Sequence, residues 1–336
     1  MAVEITPPQL QSEIEKELTA CIGVSSDPRY AEYEAMFTYQ MDWELPAHDS
    51  RGKRVRPLLV LLTTHAAGGD WHQALPAAAS LELMHNFSLI HDDIQDQSTS
   101  RRGKPTTWVK WGEPLAINAG DAMLTLSSLS LQRLLSDFPA NIVNKVSEIT
   151  HTACLQLTRG QFLDISFESR VSVSLDDYWE MISGKTCSLL AAALEIGGLL
   201  GGADETQCAL LHQCGLALGK AYQVQDDWFG IWGNDDLTGK SSHSDLLARK
   251  KSYPILAGLA KGRSFYAAWS KIVEITPREI PALVSALEED GIKAETEAQM
   301  ETLYRQTQTL LTSVNCETRR VAPLIALLDK LMKRVQ

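Results

Sequence analysis

The chain has 336 residues, enough for one large domain or two medium ones with a substantial buried core. Hydrophobic residues make up 44% and charged residues 22%, as is usual for a soluble globular protein. The net charge of −11 argues against a general nucleic-acid-binding protein, whose surface is broadly basic.

The six cysteines are scattered without CxxC or zinc-ligand spacing, which predicts a reduced intracellular chain. The N-terminus lacks the basic-then-apolar order of a signal peptide. The longest apolar runs, residues 57–67 and 189–200, are too short to span a membrane. We therefore expect a cytoplasmic protein with no membrane span and no nucleic-acid partner.

Apolar residues recur at helical spacing along nearly the whole chain. A first helix begins at Pro7 and Pro8, and the later predicted helices cover residues 30–43, 57–67, 73–96, 115–135, 141–167, 176–198, 206–232, 251–261, 266–273, 280–290, 294–314 and 321–335. Strand alternation and Asn-Gly or Asp-Gly hairpin signals are absent, and no linker divides the chain. This pattern predicts a single all-α domain, a multi-helix bundle with buried central helices.

Residues 83–104 join the end of an apolar helix to three aspartates and a basic loop. Asp92 and Asp96 are four residues apart and share one helix face, where two carboxylates repel each other unless a cation lies between them. The basic residues of the loop are Arg101, Arg102 and Lys104. The combination predicts that a metal ion and an anion meet at this helix end.

A second apolar helix closes with Asp226 and Asp227, and a basic segment follows it at residues 249–251. Magnesium prefers oxygen ligands and is commonly held by one or two carboxylates together with substrate phosphates. Two facing helices of this kind would hold such ions around a diphosphate. A further basic cluster, Lys53, Arg54 and Arg56, begins a helix, where backbone N–H groups favour anions. Two anion sites are therefore expected.

Eight motifs carry a family resemblance: GKRVRP, HNFSLIHDDIQD, RRGKPT, GQFLD, GKT, YQVQDD, GK and SDLLARKKSYP. In this order the chain resembles the trans-isoprenyl diphosphate synthases of the polyprenyl synthetase family, from about residue 52 to residue 254. The resemblance implies the isoprenoid synthase fold, in which a helical bundle surrounds a deep central cavity. It places one polyprenyl synthetase domain over residues 1–336, with N-terminal helices at 1–45, a catalytic core at 46–255 and C-terminal helices at 256–336.

The resemblance also implies a reaction. Members of the family join the allylic C1 of one prenyl diphosphate to isopentenyl diphosphate and release diphosphate, using three Mg²⁺ ions, for which Mn²⁺ is a substitute. A homodimer is expected on the same grounds.

Family roles transfer by motif position to residues of this chain. The expected metal ligands are Asp92, Asp96 and Asp226. The expected catalytic residues are Asp92, Asp96, Arg101, Lys185 and Asp226. The residues expected to bind isopentenyl diphosphate are Gly52, Lys53, Arg56, His85 and Arg102. The residues expected to bind the allylic diphosphate or close the site are Arg101, Lys185, Thr186, Gln223, Lys240 and Lys250. The residues expected to set the product length are Phe87, Ser88 and Met84.

The second motif departs from the family pattern because Gly230 stands where a third aspartate is usual. Asp235 and Asp236, in the following loop, are candidates to replace it through water. We expect Asp92→Ala to remove most activity and Gly230→Asp to have a small effect. For Asp93 the simpler interpretation is a solvated helix end, and for His91 it is a histidine at the edge of the core that is satisfied by the backbone. Asp227 is likewise given no functional role.

Product length is read from the residues before Asp92. Counting back from Asp92, the fifth residue is an aromatic one, Phe87, and the motif has no two-residue insertion between its aspartates. In the family this combination favours geranylgeranyl diphosphate (C20). Met84, one helical turn further from Asp92, would instead narrow the cavity and favour farnesyl diphosphate (C15). A class I terpene cyclase or lyase is an alternative that a second anion site argues against. A non-catalytic modulating subunit is another, which the complete first motif argues against.

Overall fold

The computed structural model describes residues 6–23, 27–43, 52–170, 172–233, 243–272, 274–314 and 316–332. Its helices are α1 Pro7–Ile22, α2 Ala31–Gln40, α3 Val55–Ala66, α4 Leu75–Gln95, α5 Thr107–Trp111, α6 Glu113–Gln132, α7 Ala140–Ser169, α8 Leu175–Ile182, α9 Ser188–Leu200, α10 Glu205–Trp232, α11 Ser244–Leu247, α12 Tyr253–Lys261, α13 Ser264–Trp269, α14 Ile280–Glu289, α15 Ile292–Ser313 and α16 Thr318–Met332. Short 3₁₀ turns lie at Pro28–Tyr30 and Arg133–Ser136. The prediction of an all-α fold is confirmed.

The chain folds into two compact units. Unit 1 consists of Met1–Cys154, Ala192–His212 and Val314–Leu327, and unit 2 of Leu155–Ala191, Gln213–Ser313 and Leu328–Gln336. The division into residues 1–45, 46–255 and 256–336 stays a prediction from the family resemblance.

Helix α4 is the central element of unit 1, where it packs against α1, α3, α5 and α6. Its apolar side chains, such as Leu81 and Leu83, are fully buried beneath these neighbours. The hydroxyls of Ser80 on α4 and Ser127 on α6 are 2.9 Å apart and buried, so one of them donates a hydrogen bond to the other between the two helices.

Unit 2 has its own hydrophobic core, built on Phe167, Tyr178, Ile255, Phe265 and Leu287. Helix α12 lies in the middle of this core and packs against α8, α13 and α15. The start of α8 is held by a capping box between Ser174 and Asp177, in which each side chain binds the other residue's backbone N–H.

Two features differ from the sequence-based expectations. The predicted helix at residues 176–198 is interrupted by a π-helical turn, Ser183–Cys187, between α8 and α9. The loop after α4 contains a small antiparallel hairpin, β1 Ser100–Arg101 with β2 Lys104–Pro105. At its turn Arg102 and Gly103 have φ of 53° and 76°, as a two-residue hairpin turn requires. The hairpin was missed because Arg-Gly is a weaker turn signal than Asn-Gly.

Candidate active site

The last turns of α4 form the first acidic site, which we define as Asp92, Asp93 and Asp96. Asp92 is partly accessible, Asp96 is exposed and Asp93 is buried. The Arg101 side chain binds the buried aspartate through Nε, at 2.9 and 3.0 Å, and Nη2 of the same guanidinium lies 3.1 Å from Asp92 Oδ2. Burial raises the pKa of Asp93, against the opposing charge of Arg101. Asp93 is therefore the anchor that fixes Arg101 beside Asp92, a role that the sequence did not reveal.

The hairpin separates the two arginines of the basic loop. Arg102 lies in the hairpin turn, and its Nη1 is 2.6 Å from Asp42 Oδ2. Lys104 pairs with the same carboxylate and lies over the ring of Tyr39, 4.0 Å from its centroid. Asp42 is only 1% exposed. This buried carboxylate holds two basic side chains of the hairpin, and a single aspartate near the end of a predicted helix gave no sequence signal for that role.

Gly52 lies directly against Arg102. A Cβ atom at residue 52 would be 2.8 Å from Nη1 of the Arg102 guanidinium and 3.0 Å from Nη2. The two residues are far apart in sequence, and both were predicted to bind isopentenyl diphosphate. The structure brings them together, and any side chain at residue 52 would have to push the guanidinium aside.

The basic cluster at the start of α3 divides into different roles. Arg54 is buried and forms ion pairs with Glu15 at 2.7 Å and Glu82 at 2.9 Å. It is therefore a structural residue, since both of its partners are acidic groups of the protein. Lys53 is exposed and Arg56 is partly accessible, in contrast to the buried Arg54.

His85 lies on α4 among arginines. Burial lowers its pKa well below the usual value, and the positive charges of Arg56, Arg102, Arg101 and Arg54 lower it further. The imidazole is therefore neutral near pH 7. The arginines around it are themselves held by carboxylates of the protein: Arg54 by Glu15 and Glu82, Arg101 by Asp92 and Asp93, and Arg102 by Asp42.

The three residues predicted to set product length lie on the same helix. Met84 is fully buried and Phe87 is 6% exposed. The hydroxyl of Ser88 donates to the backbone carbonyl of His85 at 2.7 Å, so it is satisfied within the helix. Among these side chains, the ring of Phe87 is the largest.

His91 follows the simpler interpretation given above. Its Nε2 lies 3.3 Å from the carbonyl oxygen of Ile117 on α6. The ring occupies space left by Gly120, where a Cβ atom would be 2.3 Å from Nε2. The histidine is a packing residue between α4 and α6.

The end of α10, in unit 2, carries the second acidic site, which we define as Asp226 and Asp227. Asp227 is 1% exposed and accepts hydrogen bonds from the Tyr178 hydroxyl at 2.7 Å, Gln223 Nε2 at 2.9 Å and the backbone N–H of Tyr253 at 2.9 Å. Burial raises its pKa to about 6. Asp227 thus joins α8, α10 and α12, whereas Asp226 is partly accessible.

The π-helical turn positions Lys185 and Thr186. Gly160 on α7 and Gly184 in the turn are in backbone contact, since a Cβ at residue 160 would lie 2.1 Å from the backbone nitrogen of Lys185. This close approach brings Lys185 Nζ to 2.6 Å from Asp164 Oδ2. Asp164 belongs to the GQFLD motif, but its role as partner of the lysine was not predicted.

Thr186 and Gln223 are linked to the second acidic site. The Thr186 hydroxyl donates to Gln223 Oε1 at 2.7 Å, and Gln223 in turn donates to Asp227. The prediction placed both residues at the allylic diphosphate. The contacts show that they also tie the π-helical turn to the buried aspartate.

The expectation that Gly230→Asp would have a small effect on activity stays a prediction, and the structure shows what surrounds the position. A Cβ atom at residue 230 would be 2.5 Å from Cγ of Asp245 and 2.7 to 2.8 Å from its two carboxylate oxygens. The position is filled by another residue's carboxylate, so an aspartate there would meet both a steric clash and a like charge.

Lys250 lies among carboxylates. Asp245 has the largest effect in raising its pKa, followed by Asp227, Asp226 and Asp164. Lys240, Asp235 and Asp236 lie outside the described residues.

A sequence model of the family described as polyprenyl synthetase matches residues 46–288. The chain belongs to this family. Known members are similar over much of the chain: a (2E,6E)-farnesyl diphosphate synthase of Mycobacterium bovis is 42% identical over 239 residues, 69% of this chain and 66% of that protein. A geranylgeranyl diphosphate synthase of Mycobacterium tuberculosis is 39% identical over 228 residues, 67% of this chain and 64% of that protein.

Solved structures of polyprenyl synthetases extend the likeness to nearly the full length. The crystal structure of a polyprenyl synthetase from Streptomyces coelicolor A3(2) has a TM-score of 0.86 and 31% identity, covering 96% of this chain and 98% of that one. The predicted family is confirmed. The curated relatives include both farnesyl and geranylgeranyl diphosphate synthases, so they do not decide the product of this polyprenyl synthetase.

The family implies magnesium, and the donor set fits that ion. Asp92, Asp96 and Asp226 offer carboxylate oxygens, and each side chain is accessible at least in part. Within the described residues, no group of three or more acidic, histidine or cysteine side chains is placed to hold a metal ion by itself. Magnesium does not require such a group, because one or two carboxylates can bind it while water or substrate phosphate completes the shell. In the same part of the chain, no helix is long and apolar enough to cross a membrane.

Proposed function

We propose that this polyprenyl synthetase elongates a prenyl chain: it condenses isopentenyl diphosphate with an allylic diphosphate and releases diphosphate. The observation that carries the proposal is the separation of Arg101 from Arg102. Arg101 is held at the acidic end of α4 by Asp93, while Arg102 is held by Asp42 against Gly52. Neighbouring arginines thus serve two places, as a reaction with two diphosphate substrates needs.

In this proposal the allylic diphosphate binds at the acidic sites. Asp92 and Asp96 would hold two magnesium ions and Asp226 the third, with Mn²⁺ as a substitute. When bound, these ions supply the positive charge that stabilises a departing diphosphate. The basic residues proposed to bind its oxygens or close the site, with help from Thr186 and Gln223, are Arg101, Lys185, Lys240 and Lys250.

Isopentenyl diphosphate is proposed to bind Gly52, Lys53, Arg56 and Arg102. His85 lies among the same arginines and, because it is neutral, can accept as well as donate a hydrogen bond. The arginines around it would hold the second diphosphate. A terpene cyclase has only one diphosphate to bind, so this cluster favours chain elongation over cyclisation.

The bonds change as follows. The C–O bond at allylic C1 breaks, and its electron pair leaves with the diphosphate. The double bond of isopentenyl diphosphate then attacks C1, which forms the new C–C bond and leaves a positive charge on the attacking partner. Loss of a proton from C2 of that unit, to the released diphosphate, restores a double bond. The residues of this chain orient the two substrates and exclude water from the cation.

For the product we propose geranylgeranyl diphosphate, with Phe87 as the residue that limits chain growth and Ser88 and Met84 beside it. Farnesyl diphosphate is the second candidate, because Met84 is fully buried one turn further along α4 and a farnesyl diphosphate synthase is among the similar proteins. We expect Phe87→Ala to shift the product to longer chains. Met84→Ala has the larger effect if the product is farnesyl diphosphate.

The test is incubation of the protein with magnesium, radiolabelled isopentenyl diphosphate and dimethylallyl, geranyl or farnesyl diphosphate, followed by product-length analysis for each primer. Label in a longer prenyl diphosphate supports the proposal. A hydrocarbon or alcohol formed without isopentenyl diphosphate would identify a cyclase or lyase instead. Activity that appears only after a separate synthase is added would identify a modulating subunit.

We also propose a homodimer, located in the cytoplasm. Leu155, Phe162 and Ile165 leave large apolar side chains exposed on α7, and Phe162 is 69% exposed. An apolar helix face of this kind favours association with a second copy. Light scattering of the wild type and of Phe162→Ser would test this, with a shift towards monomer expected for the variant.

A further inference from the structure

The start of α3 is held by a helix that lies outside the sequence match to the family. The family model begins at residue 46, whereas α1 occupies Pro7–Ile22. The carboxylate of Glu15, on α1, accepts hydrogen bonds from Arg54 Nε at 2.7 Å and from Trp43 Nε1 at 2.5 Å. One carboxylate of α1 therefore contacts both the residue that precedes α3 and the segment that follows α2.

Arg54 has a backbone conformation that its side-chain contacts maintain. Its φ is 47° and its ψ is 41°, in the left-handed region that residues other than glycine rarely adopt. Besides Glu15, the buried guanidinium donates to Glu82 Oε1 at 2.9 Å and to the carbonyl oxygen of Met41 at 2.8 Å. A strained conformation persists only where the surrounding structure fixes it, and these acceptors supply that constraint.

The conformation of Arg54 matters because predicted substrate-binding residues lie on both sides of it. Lys53 directly precedes Arg54, and Arg56 follows it in the first turn of α3. A change of φ and ψ at residue 54 would rotate the chain on one side relative to the other. Lys53, and Gly52 with the Arg102 guanidinium against it, would then move relative to Arg56.

The segment that follows α2 extends the same network to the hairpin. Met41 accepts a hydrogen bond from Arg54, and Trp43 donates one to Glu15. Asp42 lies between these two residues, has φ of 61° and pairs with Arg102. Glu15 therefore supports the start of α3 directly and supports Asp42 through its neighbour.

We propose that Glu15 is a positioning residue for the isopentenyl diphosphate site. It acts through Arg54, which it holds in the left-handed conformation, and through Trp43. This inference rests on the proposed function for the identity of the diphosphate. Arg101 is anchored separately, by Asp92 and Asp93, so the site for the allylic substrate does not depend on Glu15.

The first test is a comparison of Michaelis constants. Glu15→Gln keeps the size of the side chain and removes its charge, so KM for isopentenyl diphosphate should rise about tenfold while KM for the allylic substrate changes less than about twofold. Glu17→Gln is the matched control, because Glu17 lies on the same helix and pairs with Arg133 at 3.2 Å. This control should leave both constants within about twofold of the wild-type values.

The second test follows the backbone without any substrate. In hydrogen–deuterium exchange, the amides of residues 53–55 should exchange about tenfold faster in Glu15→Gln than in the wild type, and Glu17→Gln should not change them. If Glu15→Gln does not fold, Glu15→Asp takes its place in both tests. This variant keeps the charge on a shorter side chain, so the selective rise in KM should be about threefold.

The proposal is overturned if Glu15→Gln raises both Michaelis constants equally, if it raises neither, or if the exchange of residues 53–55 is unchanged. Failure of the proposed function gives a different result. A wild type that forms no prenyl product overturns the reaction, whereas the exchange measurement still decides whether Glu15 holds the start of α3.

Discussion

The two acidic sites follow one plan up to a point. In each, the first aspartate of the pair, Asp92 or Asp226, is partly accessible, while the second is buried and anchors another segment. Asp93 anchors the hairpin through Arg101, and Asp227 anchors α8 and α12 through Tyr178 and Tyr253. In each pair, therefore, the first aspartate is accessible to a ligand, and the second holds a neighbouring segment in place.

The sites differ at the position one turn beyond the first aspartate. In the first site this position is Asp96, which caps the end of α4. In the second site it is Gly230, and the carboxylate of Asp245 lies where a side chain at residue 230 would be. The comparison teaches that two helix ends with the same aspartate pair can differ in the groups that pack against them.

The largest expected effect tests the accessible aspartate of the first site. Asp92→Ala should lower kcat/KM for chain elongation by about a thousandfold, because it removes a carboxylate that is proposed to bind magnesium at the leaving group. Steady-state assays with labelled isopentenyl diphosphate measure this. Asp137→Ala, on an exposed acidic residue of the same unit, is the control. A loss below tenfold for Asp92→Ala would contradict its role.

The next effect tests the buried aspartates against each other. Asp227→Ala should lower the free energy of unfolding by about 3–5 kcal/mol, since two buried donors and one partly buried donor lose their acceptor. Asp93→Ala should lower the free energy of unfolding by less than Asp227→Ala does, because Arg101 is partly exposed and keeps Asp92 as a partner. Urea unfolding of both variants gives the comparison. An equal decrease in the free energy of unfolding for both variants would show that Asp93 stabilises the fold as much as Asp227 does.

A smaller effect separates the two anion sites of unit 1. Asp42→Ala releases Arg102 and Lys104 but leaves Arg101 on Asp93, so KM for isopentenyl diphosphate should rise about tenfold while KM for the allylic substrate changes little. Kinetics with each substrate varied in turn measure the difference. Asp70→Ala, which removes an exposed partner of His72, is the control. A parallel rise in both constants would argue against separate sites.

The smallest effect is a pH dependence of stability. The pKa of His85 is lowered in the folded protein, first by burial, from an ordinary value of 6.5. Below that value the unfolded chain binds a proton that the folded chain excludes, so stability should fall as the pH falls from 6.5, by at most about 1.4 kcal/mol per pH unit. Unfolding curves of the wild type and His85→Gln between pH 7 and 5 measure it. The variant should show a smaller slope; an unchanged slope would show that His85 is not its source.

Much of the first acidic site was predictable from sequence because its parts lie close together along the chain. Asp92, Asp96 and Arg101 fall within one helix end and one loop, and helical periodicity alone aligns the two aspartates. The residues that hold this site in place were not predictable. Asp42 is far from Arg102 in sequence, and its own neighbours gave no pattern.

The second acidic site shows more clearly how far a site can be predicted from sequence. The sequence placed Asp226 correctly at the end of a helix and identified Gly230 as a departure from the family pattern. It then assigned a possible replacement to Asp235 and Asp236, because they were the nearest acidic residues along the chain. The contact between Asp245 and Gly230 was not predicted, because Asp245 lies inside a segment that was interpreted as basic.

The sequence by itself determined the helical fold, the family and the positions of the paired aspartates, since periodic burial and motif spacing are local properties of the chain. Only the tertiary structure decided which carboxylates are anchors and which are open to a ligand. It also decided that the π-helical turn places Lys185 in an ion pair with Asp164 and that Asp245 fills the space beside Gly230. These outcomes depend on close packing between segments that are separated along the chain, and a one-dimensional pattern does not contain that information.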